Sequence, residues 1–438
     1  MTFASLPTAV GEVVTLASDL IRIDTTNTGD PATTVGERKA AEYVAAQLED
    51  VGYETTYVEV APGRANVITR LPGADPSRGA LLIHAHLDVV PADASEWSVH
   101  PLSGEVREGY LWGRGAVDMK HMAAMTLAVA RQFKRDGVVP PRDLVFAFVS
   151  DEEAGGVLGA QWLVQHRPEL FEGVSEAISE VRGFSVTLAD EVRGYLIETG
   201  EKGVMWLRLK ARGVAGHGSM LNDDNAVAKL AAAVSRLDQH EFPLILTGAV
   251  RDFLSIVGEV TGVPFEADDP QTAVARLGGL SRMIGATLRD TANVTMFSAG
   301  YRANVVPSVA EATVDGRFLP GRAEAFEAEL RAVLGPEIEV LAQSLPAVET
   351  TFDGHLVDRM TAAILAEDPT ARMLPYLLSA GTDAKSFQRL GIRNFGFTPL
   401  KLPPDLDFAA LFHGVDERVP TEALEFGVAV LHRFLSSC

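Results

Sequence analysis

Apolar positions recur along the first 150 residues with two periods, one typical of helices and one typical of strands. In chain order, the pattern predicts helices over 8–24 and 36–51, strands at 54–60, 65–70 and 80–87, a helix near 119–134 and a buried strand at 143–149. Strands that alternate with helices in this way indicate an α/β sheet with helices covering its faces.

The pattern changes near Glu201, where a strand with one exposed face begins. The elements predicted from there are a strand at 204–212, a helix at 225–237, strands at 294–301 and 311–318, a helix at 323–334 and a strand at 337–341. This β-α-β-β-α-β order predicts a small sheet with helices on one face. Helical, glycine-containing sequence over 240–290 interrupts the order and is interpreted as an insertion.

The alternation of the first part resumes near Leu356, with helices at 356–366 and 421–436. The simplest arrangement is an α/β catalytic domain in two pieces, residues 1–200 and 347–438. A smaller domain, residues 201–346, is inserted between them.

Composition narrows the class of protein. Apolar residues make up 47% and charged residues 22% of the 438 residues, which is typical of a folded globular protein. With 59 acidic and 38 basic residues, the formal charge of −21 argues against binding to nucleic acid or to an anionic membrane surface. The chain has neither a basic, apolar leader nor an apolar run of about 18 residues, so we expect a cytoplasmic protein.

The single cysteine, Cys438, leaves histidines and carboxylates as the ligands for any metal. On the predicted strand at 80–87, His86 and Asp88 share a face, and a carboxylate two residues from an imidazole can orient it for metal binding. His84 lies on the same face, so the spacing leaves two candidate ligands.

Two further carboxylate positions follow predicted turns. The glycine-framed segment 113–120 delivers Asp118 just before a helix, and Glu152 and Glu153 follow a buried strand, where open α/β sheets build their sites. Adjacent carboxylates can divide labour, one binding metal and the other acting as general base.

Glu180 and His413 extend this set to two histidines and several carboxylates without a thiolate. Such donors suit two zinc ions, or cobalt or manganese, bridged by one carboxylate. Each motif alone has an ordinary structural interpretation, such as an acidic helix start or a glycine turn, but together they indicate a site.

These motifs resemble the co-catalytic zinc amidohydrolases that include aminoacylase, acetylornithine deacetylase, succinyl-diaminopimelate desuccinylase, carnosine dipeptidase, glutamate carboxypeptidase and carboxypeptidase S. The resemblance covers nearly the whole chain and implies a zinc-peptidase-like mixed sheet flanked by helices, with an inserted lid and dimerisation domain. The matching segments, in order, are HLDVVP at 86–91, GRGAVDMK at 113–120, DEE at 151–153, GHGS at 216–219, NVVP at 304–307, GTD at 381–383 and His413.

The resemblance implies two metal groups that share Asp118 as a bridge. His86 and Glu180 complete one group, and Glu153 and His413 complete the other.

The resemblance also implies that Asp88 orients His86 and that the Asp118–Met119 peptide is cis. Glu152 would take a proton from the attacking water and deliver it to the leaving nitrogen.

In the inserted domain, His217 resembles the lid histidine that stabilises the oxyanion, often from the partner subunit of a homodimer. Asn304, Arg317, Gly381 and Thr382 lie where substrate contacts are found, and a guanidinium suits a free carboxylate. The ordinary alternatives are a loop histidine for His217 and a surface salt bridge for Arg317.

The chain departs from the family pattern after the distal acid, where it reads Glu180-Val181-Arg182-Gly183 in place of the usual glycines. Glu176 shares a strand face with Glu180 and is an alternative ligand. The insertion over 240–290 resembles that of the carboxypeptidase S-like branch and favours N-acyl amino acids or short peptides with a free carboxylate as substrates.

The sequence therefore predicts a binuclear metal amidohydrolase of the aminoacylase or carboxypeptidase type. The alternatives are a dipeptidase and an inactive, metal-free binding protein. A nucleotide-binding oxidoreductase is disfavoured, because Gly113 and Gly115 lack a third glycine at the required spacing.

Overall fold

The computed structural model describes residues 6–180, 182–189, 192–277 and 281–438. Helices and strands in these ranges build two sheets of different construction. The helices are α1 (Leu6–Arg22), α2 (Arg38–Glu49), α3 (Lys120–Asp136), α4 (Ala160–His166), α5 (Ala226–Asp238), α6 (Gly248–Thr261), α7 (Pro270–Ala275), α8 (Ser281–Gly285), α9 (Ala323–Leu334), α10 (His355–Glu367), α11 (Ala384–Phe387) and α12 (Thr421–Leu435).

The strands fall into one large sheet, one four-stranded sheet and two small ladders. They are β1 (Thr56–Ala61), β2 (Arg64–Leu71), β3 (Ala80–His86), β4 (Glu105–Arg107), β5 (Tyr110–Trp112), β6 (Leu144–Val149), β7 (Val174–Ser179), β8 (Ser185–Ala189), β9 (Val192–Glu201), β10 (Gly203–Arg212), β11 (Gly216–His217), β12 (Thr291–Ala299), β13 (Val305–Val306), β14 (Val309–Phe318), β15 (Ile338–Leu345), β16 (Val348–Glu349), β17 (Arg372–Leu378), β18 (Arg393–Gly396) and β19 (Arg418–Pro420).

The large sheet is mixed and runs in the order β1-β2-β6-β3-β7-β18-β9-β16, with β8 and β17 also paired to β9. Strand β3 is parallel to both β6 and β7. Every residue of β3 and β6 is buried, because α1, α3 and α12 cover one face of the sheet while α4 and α11 contribute to the apolar cluster on the other. The predicted α/β class, a mixed sheet flanked by helices, is confirmed.

The four-stranded sheet is antiparallel, in the order β12-β14-β10-β15. Buried positions alternate along β14, and a separate apolar cluster packs α5 and α9 against one face. The chain order β10-α5-β12-β14-α9-β15 is the predicted β-α-β-β-α-β order. The domain boundaries at 200/201 and 346/347 stay a prediction.

The helical insertion predicted over 240–290 contains α6, α7 and α8. Helix α6 packs against β17, β8 and β9, so this insertion contacts the large sheet. Within the described residues, no helix combines the length and apolar character needed to cross a membrane.

Candidate metal centre

The predicted ligands gather at one edge of the large sheet, where three parallel strands end. His86 is the last residue of β3, Glu152 and Glu153 follow β6, and Glu180 directly follows β7. Since the carboxyl ends of parallel strands point the same way, their loops meet above one edge of the sheet.

Two groups of donor atoms form there and share Asp118. His86 Nε2 lies 3.1 Å from Asp118 Oδ1 and 3.5 Å from Glu180 Oε2. His413 Nε2 lies 3.4 Å from Asp118 Oδ2 and 3.2 Å from Glu153 Oε2. Within each group the donor atoms all lie within 4.8 Å of one another. The structure thus brings together the five residues predicted to bind metal.

The electrostatics of this cluster fit divalent cations. Burial raises the pKa of Glu153, and it raises the pKa of Glu180 to about 7. Glu153 Oε1 is buried without a hydrogen-bond partner among the described residues. Positive charge would favour the ionised carboxylates and satisfy this oxygen, so two imidazoles and three carboxylates form a suitable donor set for two such ions.

Glu152 lies beside both groups on the turn that follows β6. Its Oε2 is 4.0 Å from His86 Nε2, and burial together with the negative charge of Glu180 raises the pKa of Glu152 well above its usual value. The preceding residue, Asp151, has a left-handed backbone with φ of 71°. A carboxyl group with a raised pKa is suited to exchange protons near neutral pH.

Asp88 connects His86 to the turn that carries the two glutamates. His86 Nδ1 lies 3.0 Å from the backbone oxygen of Asp88 and 3.6 Å from its Oδ1. The buried carboxylate accepts hydrogen bonds from the backbone N–H groups of Glu152 at 3.2 Å and Glu153 at 3.1 Å, and from Asn27 Nδ2 at 2.9 Å. Asp88 therefore holds the end of β3 against the turn that carries Glu152 and Glu153.

Asp118 stands at the end of a tight turn before α3. The Asp118–Met119 peptide is cis, as the family resemblance implies. Gly113 and Gly115 both have positive φ, and a Cβ at Gly115 would lie 2.9 Å from Lys120 Cδ and 3.0 Å from Val89 Cγ1. Glycine is needed here for both its backbone conformation and its lack of a side chain.

Glu417 holds this turn and was missed by the sequence analysis. Its Oε1 accepts hydrogen bonds from the backbone N–H groups of Gly115, Val117 and Asp118, at 3.0, 2.6 and 2.9 Å. Its Oε2 accepts a 2.6 Å hydrogen bond from Arg114 Nη1. The buried Arg114 required an acidic partner, but nothing local indicated one 303 residues away.

A second missed network supports the turn after β6. Arg64 forms two 2.8 Å hydrogen bonds to Glu37, and its Nη2 also donates to Asp151 Oδ1 at 2.7 Å. Asn27 Nδ2 donates to the same oxygen at 3.2 Å as well as to Asp88. The two acids that flank the metal cluster are therefore joined through one asparagine.

A cavity of about 530 Å³ opens above the candidate metal ligands, between the large sheet and the four-stranded sheet. Asp118, Glu152, Glu153, Glu180 and His413 line one wall. Residues from β10, β14 and β15 line the opposite wall, and they are Val204, Trp206, Arg317 and Leu345.

Three of the predicted substrate contacts line this cavity: Arg317, Gly381 and Thr382. Arg317 pairs with Asp315, its Nε lying 2.8 Å from Oδ1 and its Nη2 3.0 Å from Oδ2. Arg317 therefore forms an ion pair and also lines the cavity, and its predicted contact with substrate stays a prediction. The backbone N–H of Thr382 donates to Glu201 Oε2 at 3.0 Å.

The structure does not bring His217 and Asn304 to the cavity. His217 lies on β11, and Asn304 directly precedes β13. Both side chains are exposed, and neither lines the cavity wall. His217 Nδ1 lies 2.8 Å from Ser219 Oγ, and the N–H of Gly218 donates to the backbone oxygen of Asn304 at 2.9 Å.

Two alternatives left open by the sequence lie elsewhere. Glu176 lies in the first half of β7. It forms ion pairs with Arg142 at 2.6 Å and with Arg393 at 3.5 Å. His84 is buried against Phe387, with ring centroids 4.7 Å apart. Neither belongs to the two groups of donor atoms.

The chain is similar to known proteins over most of its length. Residues 82–437 match the family model described as peptidase family M20/M25/M40. Human N-fatty-acyl-amino acid synthase/hydrolase PM20D1 is 31% identical over 396 residues, covering 84% of this chain and 76% of that protein. Pig aminoacylase-1 is 28% identical over 407 residues, covering 91% of this chain and 89% of that protein.

Among solved structures, the M20 family metallo-carboxypeptidase Sso-CP2 from Sulfolobus solfataricus superposes with a TM-score of 0.72 at 18% identity. The match covers 97% of this chain and 98% of that one. The likeness shows the same fold over nearly the full length of both chains. The chain belongs to peptidase family M20/M25/M40, a family of metal-dependent hydrolases.

Proposed function

We propose that this protein is a binuclear metal-dependent hydrolase of the amide bond in N-acyl amino acids or short peptides with a free carboxylate. The observation that carries the proposal is the pair of histidine–carboxylate groups sharing Asp118, with Glu152 beside them, at the wall of a cavity of about 530 Å³. Zinc suits these donors, with cobalt or manganese as alternatives.

His86 and Glu180 would hold one ion, Glu153 and His413 the other, and Asp118 would bridge them. When bound, the two ions lower the pKa of a water molecule and polarise the scissile carbonyl.

Glu152 carries the proton in this mechanism. It takes a proton from the attacking water and delivers it to the leaving nitrogen, so that one carboxyl group serves as base and then as acid. Its raised pKa suits the second step, and Asp88 keeps its backbone in place through the 3.2 Å hydrogen bond.

We also propose that residues 201–346 form a lid and dimerisation domain, and that His217 stabilises the oxyanion of a partner's substrate. The exposure of His217, its place outside this chain's own cavity and the similar position of Asn304 support a role in trans. Among the described strands, β12 pairs only with β14, so its other edge is free. The apolar side chains of Met296 and Phe297 on this strand are exposed. Such an edge is suited to a second copy.

The names of two similar proteins bear on which substrate this protein cleaves. PM20D1 and aminoacylase-1 are named for acyl amino acids, which favours a deacylase over the alternative, a dipeptidase. Arg317, Gly381, Thr382 and Asn304 remain the proposed substrate contacts. The cytoplasm remains the proposed location.

The test is kcat/KM of the zinc-loaded enzyme on N-acetyl-methionine and on alanyl-methionine, which share the leaving amino acid. A strong preference for the acetyl compound supports the deacylase, and preference for the dipeptide makes the enzyme a dipeptidase. If neither compound is cleaved and a chelator changes nothing, an inactive binding protein becomes the better account.

A further inference from the structure

Arg182 is a buried arginine in the wall of the metal cavity. It is only 6% exposed, and it lines the cavity together with Glu180 and Phe412. It stands two positions after Glu180, in a segment where the family resemblance implies glycines. A long cationic side chain therefore reaches the cavity that the predicted metal ligands line.

Three aromatic rings surround its guanidinium. The central carbon lies 4.5 Å from the ring centroid of Tyr376, 5.3 Å from that of Phe184 and 5.9 Å from that of Phe412. Nη2 donates a 3.1 Å hydrogen bond to the Tyr376 hydroxyl. Rings on several sides hold the planar group in one orientation and attract its charge, but they provide no anion.

Within the part of the chain that the structure describes, the guanidinium of Arg182 lacks a hydrogen-bond partner for at least one of its N–H groups. Nε is buried without a hydrogen-bond partner among the described residues. No carboxylate oxygen of a described residue lies within 4.0 Å of its nitrogens. Burial and the negative charge of Glu201 hold the pKa of the buried Glu198 carboxyl well above its usual value, although the positive charge of Arg182 lowers it. A buried cation without a close anion is costly unless a ligand supplies one.

The other cations at this cavity are differently placed. Arg317 is paired with Asp315, and Lys385 with Glu201 at 2.9 Å. Arg389 is exposed. Among the described residues that line the cavity, Arg182 is therefore the buried cation that has no carboxylate oxygen within 4.0 Å.

We propose that Arg182 binds the free carboxylate of the amino acid part of the substrate, the role that sequence reasoning gave to Arg317. The inference rests on the proposed function and names the residue that recognises its substrate class. An α-carboxylate lies one carbon from the scissile nitrogen, so its receptor must stand next to the metal ligands. Arg182 meets this condition, since it follows Glu180 by two positions and contacts Phe412, the residue before His413. The guanidinium fork matches the two carboxylate oxygens.

The test compares N-acetyl-methionine with N-acetyl-methioninamide, which lacks the negative charge. For the zinc-loaded wild type we expect a higher kcat/KM on the acid than on the amide. Arg182→Gln should lower this acid-to-amide ratio by about 10- to 100-fold, mainly through KM for the acid. Arg182→Lys should keep part of the preference. Arg251→Gln, a change on the exposed side of α6, should leave the ratio at the wild-type value.

If Arg182→Gln leaves the acid-to-amide ratio of kcat/KM unchanged, the inference is wrong. If Arg317→Gln lowers this ratio more than Arg182→Gln does, the carboxylate-binding role belongs to Arg317. The Tm of each variant shows whether it is folded. Arg182→Met serves as a second variant. It removes the positive charge without leaving a buried carboxylate unpaired, because no carboxylate of a described residue lies close to Arg182.

Binding to the Glu152→Gln enzyme separates this inference from the proposed function. We expect calorimetry to show N-acetyl-methionine binding about 10- to 100-fold more weakly when Arg182→Gln is added. If the wild type cleaves neither compound but this difference persists, the proposed function fails and the carboxylate site stands. If the addition of Arg182→Gln changes nothing, or no binding is detected, the inference fails.

Discussion

The carboxylate of Glu417 accepts a 2.9 Å hydrogen bond from the backbone N–H of Asp118, the residue shared by both groups of predicted metal ligands. Its other oxygen pairs with Arg114, whose Nη2 also lies 3.4 Å from the backbone oxygen of His413. One buried carboxylate therefore connects the turn that carries Asp118, the predicted bridge, to the segment that carries the predicted ligand His413.

Glu417→Gln should weaken both folding and metal binding. The change leaves Arg114 without its buried anion, which costs about 3–5 kcal/mol of unfolding free energy. Loss of this support should also lower metal affinity by about 10- to 100-fold. Urea unfolding and zinc titration measure the two effects, with the exposed Glu425→Gln on α12 as the control. Wild-type values for both in Glu417→Gln would contradict this role.

Glu180 and Glu176 should behave in opposite ways. Glu180→Gln should lose about one metal ion per chain, because its oxygen belongs to the group around His86. Glu176→Gln should keep both ions and lose only stability, because it breaks the 2.6 Å pair with Arg142. Elemental analysis after gel filtration decides between them, and the reverse pattern would make Glu176 the ligand.

A role of His217 in trans predicts recovery of activity on mixing two inactive variants. His217→Ala should lower kcat by about 10²- to 10³-fold, as for loss of an oxyanion donor. Unfolding and refolding it together with Glu152→Gln should restore about a quarter of wild-type activity, because half of the dimers then hold one intact site. No recovery, with dimers present, would place His217 in its own chain's site or outside catalysis.

Cys438 should be protected in the native protein. It is fully buried, and burial raises the pKa of its thiol to about 11. At pH 8 almost no thiolate forms in the folded state, so alkylation by iodoacetamide should be at least about 100-fold slower than in urea. Cys438→Ser gives the background, and equal rates in both states would show that the C-terminal residue is exposed.

The clustering of the candidate ligands could be predicted from the sequence because their signals are local. His86, Asp118 and the Glu152–Glu153 pair each follow a strand or precede a helix whose periodicity is clear, and parallel strands end at one edge. The β-α-β-β-α-β order was readable for the same reason.

What the sequence analysis missed depends on contacts between distant segments. Strand β9, which pairs with β8, β16, β17 and β18, was not assigned, because its buried run includes Glu198 and Glu201 and shows no clear period. Glu417 and Asn27 carry no local signal either. Arg182 was noticed only as a departure, and its aromatic surroundings come from three separate parts of the chain.

In the proposed mechanism, Glu152 moves the proton, whereas Glu153 and its partners hold the metal. The direct test measures zinc content and kcat on N-acetyl-methionine for Glu152→Gln beside Glu153→Gln. We predict that Glu152→Gln keeps two ions per chain and loses about 10²- to 10⁴-fold in kcat, whereas Glu153→Gln loses metal. Loss of metal in Glu152→Gln, or turnover close to that of the wild type, would contradict the account.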